Sequence, residues 1–439
     1  MKPKNLGKWR RTHLSQEIDS DLAGEKTTIM GWVTDIRDLG GIKFFILQDF
    51  SGTIQVTAPK AKVGKDILNE IDSISKESAV AVKGEIAKAD QAPRGVEVVP
   101  SEIRVLNPAE TPLPLDPTGR VKADLDTRLD ARLLDLRRPK PQAIFKIKHG
   151  AVQVIRNHLT SEGFVEVYTP KIVRSATETG ATLFPISYFE KEAFLSQSPQ
   201  LYKEVLTGCL DKVFELGPIF RAEEHDTRYH LNEVISADIE VAFSTKEDVI
   251  DILEDLIVNI FEEITEDHEE ELETLEHEIE VPEKPVPRIT YDEALEKLND
   301  AGMKLEWGAD FSIPEQRKLR EIVGGLFFIT DWPTEIKPFY IMPHEDDSKL
   351  SHAFDLLYNE IELASGGTRI HQRGLLEKQL KNKGLNPKRF EYHLKNFEWG
   401  LPPHSGWGLG VERLTMALTG AENIRETVLF PRDRKRLTP

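Results

Sequence analysis

The chain has 439 residues, and its 75 Asp and Glu residues outnumber its 57 Lys and Arg residues, giving a formal net charge of −18. Hydrophobic residues make up 39% and charged residues 30% of the composition, which excludes a disordered chain, and the length indicates two or three domains. The one cysteine, Cys209, excludes a disulfide framework and a multi-cysteine zinc site, and no stretch approaches the roughly 18 apolar residues that a membrane helix needs. We therefore expect a cytoplasmic protein with no membrane partner.

Short strands separated by turns dominate the first 106 residues. The β-rich stretches are Thr27–Asp35, Lys43–Gln48, Thr53–Thr57, Ala79–Gly84 and Val96–Leu106. One helical segment, Lys65–Ile74, lies between the third and the fourth. This order predicts a five-stranded Greek-key β-barrel of the OB type over residues 1–106. These residues are close to electrical neutrality although the whole chain is acidic, so the predicted barrel remains free to meet a polyanion.

Residues 107–140 are predicted to form a hinge, because Asn107–Thr118 contains four prolines and can form neither a helix nor a central strand. From Gln142 the spacing of apolar residues becomes helical, and a second amphipathic helix is predicted over Lys246–Ile264. Strands and helices alternate in the rest of the chain. Residues 141–439 are therefore predicted to be an α+β domain, with an antiparallel sheet flanked by helices.

Two segments of this second domain carry residues suited to nucleotide chemistry, although the chain has no phosphate-binding glycine loop of the common types. Gly406–Leu414 alternates glycine through an extended stretch and then turns helical at Arg413, which leaves backbone open to a flat ring or phosphates. Phe220–Asp226 and the returning strand Val234–Phe243 predict a hairpin with Arg221 at its base. A guanidinium fixed there can hold a phosphate. Taken singly, neither segment is specific for a nucleotide site. A glycine-rich strand more often packs under a helix, and an Arg–Glu pair on a hairpin is more often a surface ion pair.

Taken together, these segments resemble the motifs of class II aminoacyl-tRNA synthetases. The N-terminal barrel is typical of the subgroup that charges aspartate, asparagine or lysine. Longer matches over nearly the whole chain are similar to aspartyl-tRNA synthetases of the archaeal type. They are Gln197–Lys203, Phe220–His225, Phe354–Leu356, Gly366–Arg369 and Leu429–Arg432.

The resemblance implies a site for ATP and Mg²⁺. Arg221 would hold the α-phosphate and Arg413 the γ-phosphate, as the catalytic residues. Glu362 and Ser365 would hold the magnesium ion, a hard cation that prefers oxygen ligands. The other residues implied at ATP are Glu223, Tyr229, His230, Leu231 and Gly410. The family often has Arg-His-Leu where this chain has Tyr-His-Leu at 229–231, which leaves open which side chain of this loop touches ATP or the tRNA acceptor end.

The same resemblance implies L-aspartate as the amino acid. Glu178 and Gln200 would bind its backbone end, and Ser365 would also lie beside it. Lys203 and Arg369 would bind the side-chain carboxylate.

In the barrel, Phe44 and Gln55 match the positions that stack on and hydrogen-bond anticodon bases, which is how single-stranded bases are commonly read. Phe45 would then face the barrel core, because neighbours on a strand point to opposite sides. The implied partners are tRNA(Asp) and tRNA(Asn), whose anticodons share their first two letters. The first helix of the second domain and the strand ending at Pro170 imply a homodimer.

The implied activity is ATP-dependent ligation of aspartate to tRNA, and three alternatives stand beside it. An asparaginyl-tRNA synthetase has the same core, but Lys203 suits a carboxylate better than an amide. A tRNA-binding protein without catalysis is disfavoured by Arg221, Glu362 and Arg413. An amidating synthetase on this core needs no anticodon barrel.

Overall fold

The chain divides into two compact units, Met1–Arg138 and Pro139–Pro439, in a computed structural model that describes residues 3–174, 183–223 and 227–438. Each unit has a hydrophobic core of its own. The division falls within the segment predicted as a hinge, and the domain boundaries given above stay predictions.

The first unit contains a five-stranded barrel. Its strands are β1 (Lys26–Asp38), β2 (Ile42–Gln48), β3 (Thr53–Pro59), β4 (Ala79–Lys88) and β5 (Val96–Asn107). They close in the order β1-β2-β3-β5-β4, with helix α1 (Lys65–Asp72) between β3 and β4 in sequence. Two short helices, α2 (Leu125–Asp130) and α3 (Arg132–Asp135), follow the barrel. The predicted OB barrel is confirmed.

Alternation of apolar and polar residues explains why these strands close around a core. Phe45 is fully buried while its neighbour Phe44 is only half-buried, as the alternation predicts. Closure also requires a glycine, because a Cβ atom at Gly31 would lie 2.2 Å from the Gln48 carbonyl oxygen. Strands β1 and β2 approach each other too closely there for any side chain.

A mixed sheet of eight strands forms the centre of the described part of the second unit. The strands of this unit are β6 (Val165–Glu166), β7 (Ile172–Val173), β8 (Pro185–Tyr188), β9 (Lys191–Leu195), β10 (Lys212–Phe220), β11 (Glu233–Ala242), β12 (Arg288–Thr290), β13 (Leu326–Thr330), β14 (Ala353–Tyr358), β15 (Ile361–Thr368) and β16 (His404–Gly410). The order in the large sheet is β12-β13-β14-β15-β16-β11-β10-β6, and β7, β9 and β8 form a small sheet. The central pairs are antiparallel, and only the edge pairs β12/β13 and β10/β6 run parallel. The predicted α+β class is confirmed.

Helices cover the faces of this sheet. They are α4 (Pro139–Ser161), α5 (Gln200–Leu210), α6 (Lys246–Asp267), α7 (Glu269–Leu275), α8 (Tyr291–Asp300), α9 (Ile313–Val323), α10 (Arg373–Asn382), α11 (Glu391–Phe397) and α12 (Val411–Thr419). Apolar residues of α4, α6 and α12 pack on one face, against inward side chains such as Ile239 and Trp407. The residues that alternate with these, such as Asp238 and Gly408, belong to the opposite face, which carries the polar cavity described below.

Some details differ from the sequence-based expectations. The strand expected to end at Pro170 is only the two residues of β6, and Tyr168 is exposed. Cys209, which helical packing would have buried, lies exposed near the end of α5. None of the helices in the described parts of the chain has the length and hydrophobicity required to span a membrane.

Candidate active site

A row of paired residues runs across four strands and forms the floor of a cavity of about 310 Å³. Asp355 of β14 pairs with Ser365 of β15, Ser365 pairs with Gly408 of β16, and Gly408 pairs with Asp238 of β11. Directly opposite residues in neighbouring strands share a face, so this register brings all four to the cavity. Because Gly408 has no side chain, the centre of the row stays open.

A bulge in β15 brings Glu362 to the same cavity. Residues three apart on a regular strand face opposite sides, which would separate Glu362 from Ser365. The register shifts between Leu356 and Leu357 of the partner strand, so that Leu363 is the extra residue and Glu362 pairs with Leu357. Bulges re-aim side chains in this way, and both Glu362 and Ser365 line the cavity.

Asp355 and Glu362 form an oxygen-rich corner of the cavity. Burial, together with the charge of Glu362, raises the pKa of Asp355 to about 7, although the Lys337 ammonium at 2.6 Å opposes this. The other oxygen of Asp355, Oδ1, is buried without a hydrogen-bond partner among the described residues. Those residues contain no group of three or more His, Cys, Asp or Glu side chains able to hold a metal. Two carboxylates and a hydroxyl nevertheless fit a magnesium ion whose remaining ligands are substrate phosphates and water.

Arg413 projects from the first turn of α12 into the cavity. Its Nη1 donates to the Glu362 carbonyl oxygen at 3.0 Å, and its Nη2 lies 3.3 Å from His230 Nε2. Burial lowers the pKa of His230, and the positive charges of Arg413 and Arg221 lower it further. A neutral imidazole accepts through an unprotonated nitrogen, so Nδ1 carries the proton and donates to Thr227 Oγ1 at 2.6 Å.

Arg221 lies at the end of β10, where the hairpin that returns as β11 begins. Its backbone nitrogen donates to the Asn232 carbonyl oxygen at 2.9 Å, and Asn232 Nδ2 donates back to the Arg221 carbonyl oxygen at 2.7 Å. The Asn232 nitrogen in turn donates to the carbonyl oxygen of Arg432, in the tail motif. The hairpin base is therefore held by hydrogen bonds to the backbone of Arg221 and Asn232, and Arg221 lines the cavity.

Four charged groups meet at the far end of the cavity floor. Lys203, 1% exposed, has its Nζ 3.1 Å from Asp238 Oδ1 and 3.4 Å from Glu240 Oε2, and it donates to the Trp407 carbonyl oxygen. Arg369 donates through Nε and Nη2 to the two oxygens of Glu240 at 2.9 and 3.3 Å. Burial alone would lower the pKa of Arg369, but Glu240 outweighs it and raises that pKa. Two cations and two carboxylates thus balance each other.

The structure brings most of the sequence-predicted residues together. The cavity is lined by Gln200, Arg221, Glu223, Tyr229, His230, Leu231, Glu362, Ser365, Arg369, Gly410 and Arg413. Lys203 is the exception, since it lies behind Asp238 instead of lining the cavity. Glu178 lies outside the described residues.

Phe44 and Gln55 lie on one outer face of the barrel, in the first unit. Phe44 pairs with Thr57 and Ile46 with Gln55, so the two residues are diagonal neighbours on β2 and β3. The Arg37 guanidinium lies 6.0 Å from the Phe44 ring centre. The Gln55 amide nitrogen donates to Thr57 Oγ1 and Glu97 Oε2 at 3.0 and 3.1 Å, which directs its carbonyl oxygen away from these groups.

Three acidic residues in or beside the cavity have no role assigned to them from the sequence. Asp355 appears there only as part of a motif, and Asp238 and Glu240 only as part of a returning strand. Two acidic residues spaced two apart in the buried part of a strand are the signal that points to Asp238 and Glu240, because buried carboxylates need partners.

Comparisons with known proteins agree with this site. Residues 124–434 match the family of class II tRNA synthetases (D, K and N), and residues 27–106 match the OB-fold nucleic acid binding domain. The chain therefore belongs to the class II tRNA synthetases of the D, K and N group. It is 55% identical over 435 residues to the aspartate–tRNA(Asp/Asn) ligase of Methanothermobacter thermautotrophicus, covering 99% of this chain and 100% of that protein. It is 54% identical to the ligase of the same name from Methanocaldococcus jannaschii, with the same coverage.

Solved structures of two enzyme types are similar to this chain. The asparaginyl-tRNA synthetase of Pyrococcus horikoshii, complexed with asparaginyl-adenylate, has a TM-score of 0.93 at 34% identity, covering 98% of this chain and 100% of that one. The aspartyl-tRNA synthetase of Entamoeba histolytica has a TM-score of 0.86 at 33% identity, covering 98% and 93%. Both types share the fold, so the amino acid must be argued from the site.

Proposed function

We propose that this chain is an aspartate–tRNA ligase that attaches L-aspartate to tRNA(Asp) and also to tRNA(Asn). The cavity carries the proposal, because it joins two guanidinium groups suited to a triphosphate with a third suited to a carboxylate. The relatives named above bear the same dual specificity in their names.

The reaction has two steps. The aspartate α-carboxylate attacks the α-phosphorus of ATP, and the bond to the β-phosphate oxygen breaks to release pyrophosphate. The terminal ribose hydroxyl of the tRNA then attacks the carbonyl carbon of aspartyl-adenylate, and AMP leaves. Positioning and charge neutralisation lower the barrier of both steps.

ATP would lie between the hairpin and the start of α12. Arg221 would bind the α-phosphate and stabilise charge there during the attack, while Arg413 would bind the γ-phosphate. Neutral His230 would keep Arg413 in place without competing for its charge. Glu223, Tyr229, Leu231 and Gly410 would surround the base and ribose.

Magnesium would lie at the oxygen-rich corner, held by Glu362 and Ser365, and we add Asp355 to this set. The buried, unpartnered Oδ1 of Asp355 supports the addition. The ion would neutralise phosphate charge during departure of pyrophosphate.

Aspartate would bind at the other end of the cavity floor. Glu178 and Gln200 would take its α-ammonium and Ser365 would lie beside it, while Lys203 and Arg369 would serve its side chain. Arg369 is the group in reach, because it lines the cavity and its Nη1 makes no hydrogen bond to a described residue, while Nε and Nη2 bind Glu240. Lys203 would act from behind Asp238.

The anticodon would be read on the outer face of β2 and β3. Phe44 supplies a half-buried ring on which a base can stack, and Gln55 supplies a carbonyl oxygen for a base edge.

Two copies of the chain would pair through the region after α4. Large apolar side chains are exposed there at Val165, Tyr168, Ile172, Tyr188 and Phe189. Apolar surface of this kind is typical of an interface, and we propose a twofold dimer. A molar mass of one chain by light scattering at micromolar concentration would contradict the proposed dimer.

A cytoplasmic location also stays a prediction.

Asparagine is the second candidate substrate, favoured by the similarity to the Pyrococcus horikoshii enzyme. Exchange of labelled pyrophosphate into ATP without tRNA separates the two. We expect exchange with aspartate and little with asparagine. Exchange with asparagine alone would contradict the proposal and indicate an asparagine-specific enzyme. Exchange with neither amino acid would favour a tRNA-binding protein without catalysis.

A further inference from the structure

Gln200 is held by a second buried residue on its own helix. Its side-chain nitrogen Nε2 donates to Glu204 Oε1 at 2.7 Å, one turn along α5. Gln200 lines the cavity, whereas Glu204 is fully buried behind it. A carboxylate can only accept hydrogen bonds, so the amide nitrogen of Gln200 must face Glu204 and its carbonyl oxygen must point the other way.

The surroundings keep Glu204 ionised. His393 of α11 and His404 of β16 place their Nε2 atoms 3.3 and 3.7 Å from Glu204 Oε2. Burial alone would raise the pKa of Glu204, but the two histidines outweigh it and lower that pKa. Arg369, the residue directly after β15, adds a further positive charge nearby. His404 donates through Nδ1 to the Pro402 carbonyl oxygen at 2.7 Å, which fixes its ring with Nε2 toward Glu204.

We propose that Glu204 is a positioning residue for the amino acid: it fixes the Gln200 carboxamide with the oxygen toward the cavity, where that oxygen accepts a hydrogen bond from the substrate α-ammonium. The inference rests on the function proposed above. The Gln200 oxygen has no hydrogen-bond partner within residues 3–174, 183–223 and 227–438. A reversed amide would present its two donors to an ammonium group, which also only donates.

Succinate tests the proposal, because it is aspartate without the amino group. Orientation of Gln200 should matter for aspartate and not for succinate. The variants are Glu204→Met, which fills the space without an acceptor, and Glu204→Gln, whose amide oxygen can still accept from Gln200. Thr207→Val is the matched control, since it removes another buried polar group of α5, whose hydroxyl donates to the backbone carbonyl oxygen of Glu204 and not to the Gln200 side chain.

The measured quantities are the KM for aspartate and for ATP in pyrophosphate exchange, and the Ki of succinate against aspartate. Since a hydrogen bond to a charged group is at stake, Glu204→Met should raise the aspartate KM about tenfold or more, with the succinate Ki and the ATP KM nearly unchanged. Glu204→Gln should show a much smaller rise, and Thr207→Val should keep the ratio of aspartate KM to succinate Ki.

Parallel increases of the aspartate KM and the succinate Ki in Glu204→Met would overturn the proposal, as would no change in either. If Glu204→Met does not fold, Gln200→Met carries the test with the same expected and contradicting results. A wild-type protein without aspartate-dependent exchange would instead refute the proposed function, so the two failures are distinguishable.

Discussion

Arg413 depends on its neighbours for both its position and its charge. The Glu362 carbonyl oxygen accepts from one of its nitrogens and His230 from another. Burial lowers the pKa of Arg413, but an arginine stays charged over the accessible pH range. The cavity therefore contains a fixed positive charge before any ligand arrives, which is the arrangement that stabilises developing negative charge at little reorganisation cost.

Replacing this charge should impair chemistry more than folding. We expect Arg413→Ala to lower the rate of aspartate-dependent pyrophosphate exchange by about 10²–10³, a loss comparable to that of one preorganised donor. Arg317→Ala is the control, because Arg317 is a surface arginine that contacts Glu360 at 3.5 Å. An exchange rate for Arg413→Ala equal to that of the control would remove Arg413 from the active site.

Lys203 contributes to stability and to selectivity at once. It lies between the buried carboxylates of Asp238 and Glu240, so Lys203→Leu leaves those carboxylates with one cation fewer. We expect a loss of about 3–5 kcal/mol in the free energy of unfolding, measured by thermal or denaturant unfolding. Lys203→Arg keeps the charge and should lose less.

Activation of aspartate should also fall more than activation of asparagine in folded Lys203→Leu, because removing the cation makes the pocket more negative. The ratio of kcat/KM for the two amino acids reports this change. The same ratio in wild type and variant would restrict Lys203 to a structural role.

In strand β16, the absence of a side chain at Gly406 leaves room for the Glu240 carboxylate. A Cβ atom at Gly406 would lie 2.2 Å from the Ile239 carbonyl oxygen and 2.4 Å from Glu240 Oε2. Glu240 can therefore reach Arg369 and Lys203 only because residue 406 has no side chain.

We expect Gly406→Ala to displace Glu240 and to lower the free energy of unfolding by about 1–3 kcal/mol, the usual cost of overpacking. Exchange with aspartate should fall as well. Gly410→Ala is the comparison for stability, because the nearest atom to its Cβ would be 3.8 Å away, and its Tm should stay close to that of wild type. A Tm for Gly406→Ala as high as that of Gly410→Ala would contradict the account.

Two adjacent phenylalanines of strand β2 have different surroundings, and we expect them to have different roles. Phe45 is fully buried in the barrel core, while Phe44 is half-buried on the outer face. We expect Phe44→Leu to weaken tRNA charging by the loss of one stacked base, about 1–3 kcal/mol, and Phe44→Tyr to retain most of it. Pyrophosphate exchange without tRNA should change little, since every residue lining the cavity belongs to the second unit. An equal loss of exchange and charging in Phe44→Leu would identify Phe44 as a core residue.

At the scale of the whole molecule, the sequence predicts local structure better than the joining of distant segments. The barrel strands and α6 follow from alternation and helical spacing, which each segment carries by itself. The bulge at Leu363 and the row from Asp355 to Asp238 depend on the register between strands that are far apart in the chain. The placing of Lys203 behind Asp238 depends on how α5 packs on β11, whereas the family resemblance implies that Lys203 binds the substrate carboxylate.

Charging of purified tRNA tests the central claim most directly. Labelled aspartate and labelled asparagine are each supplied with purified tRNA(Asp) and tRNA(Asn), ATP and Mg²⁺, and the label attached to tRNA is measured. We expect aspartate to be attached to both tRNAs and asparagine to neither. Attachment of asparagine to tRNA(Asn), or of no amino acid to either tRNA, would contradict the account.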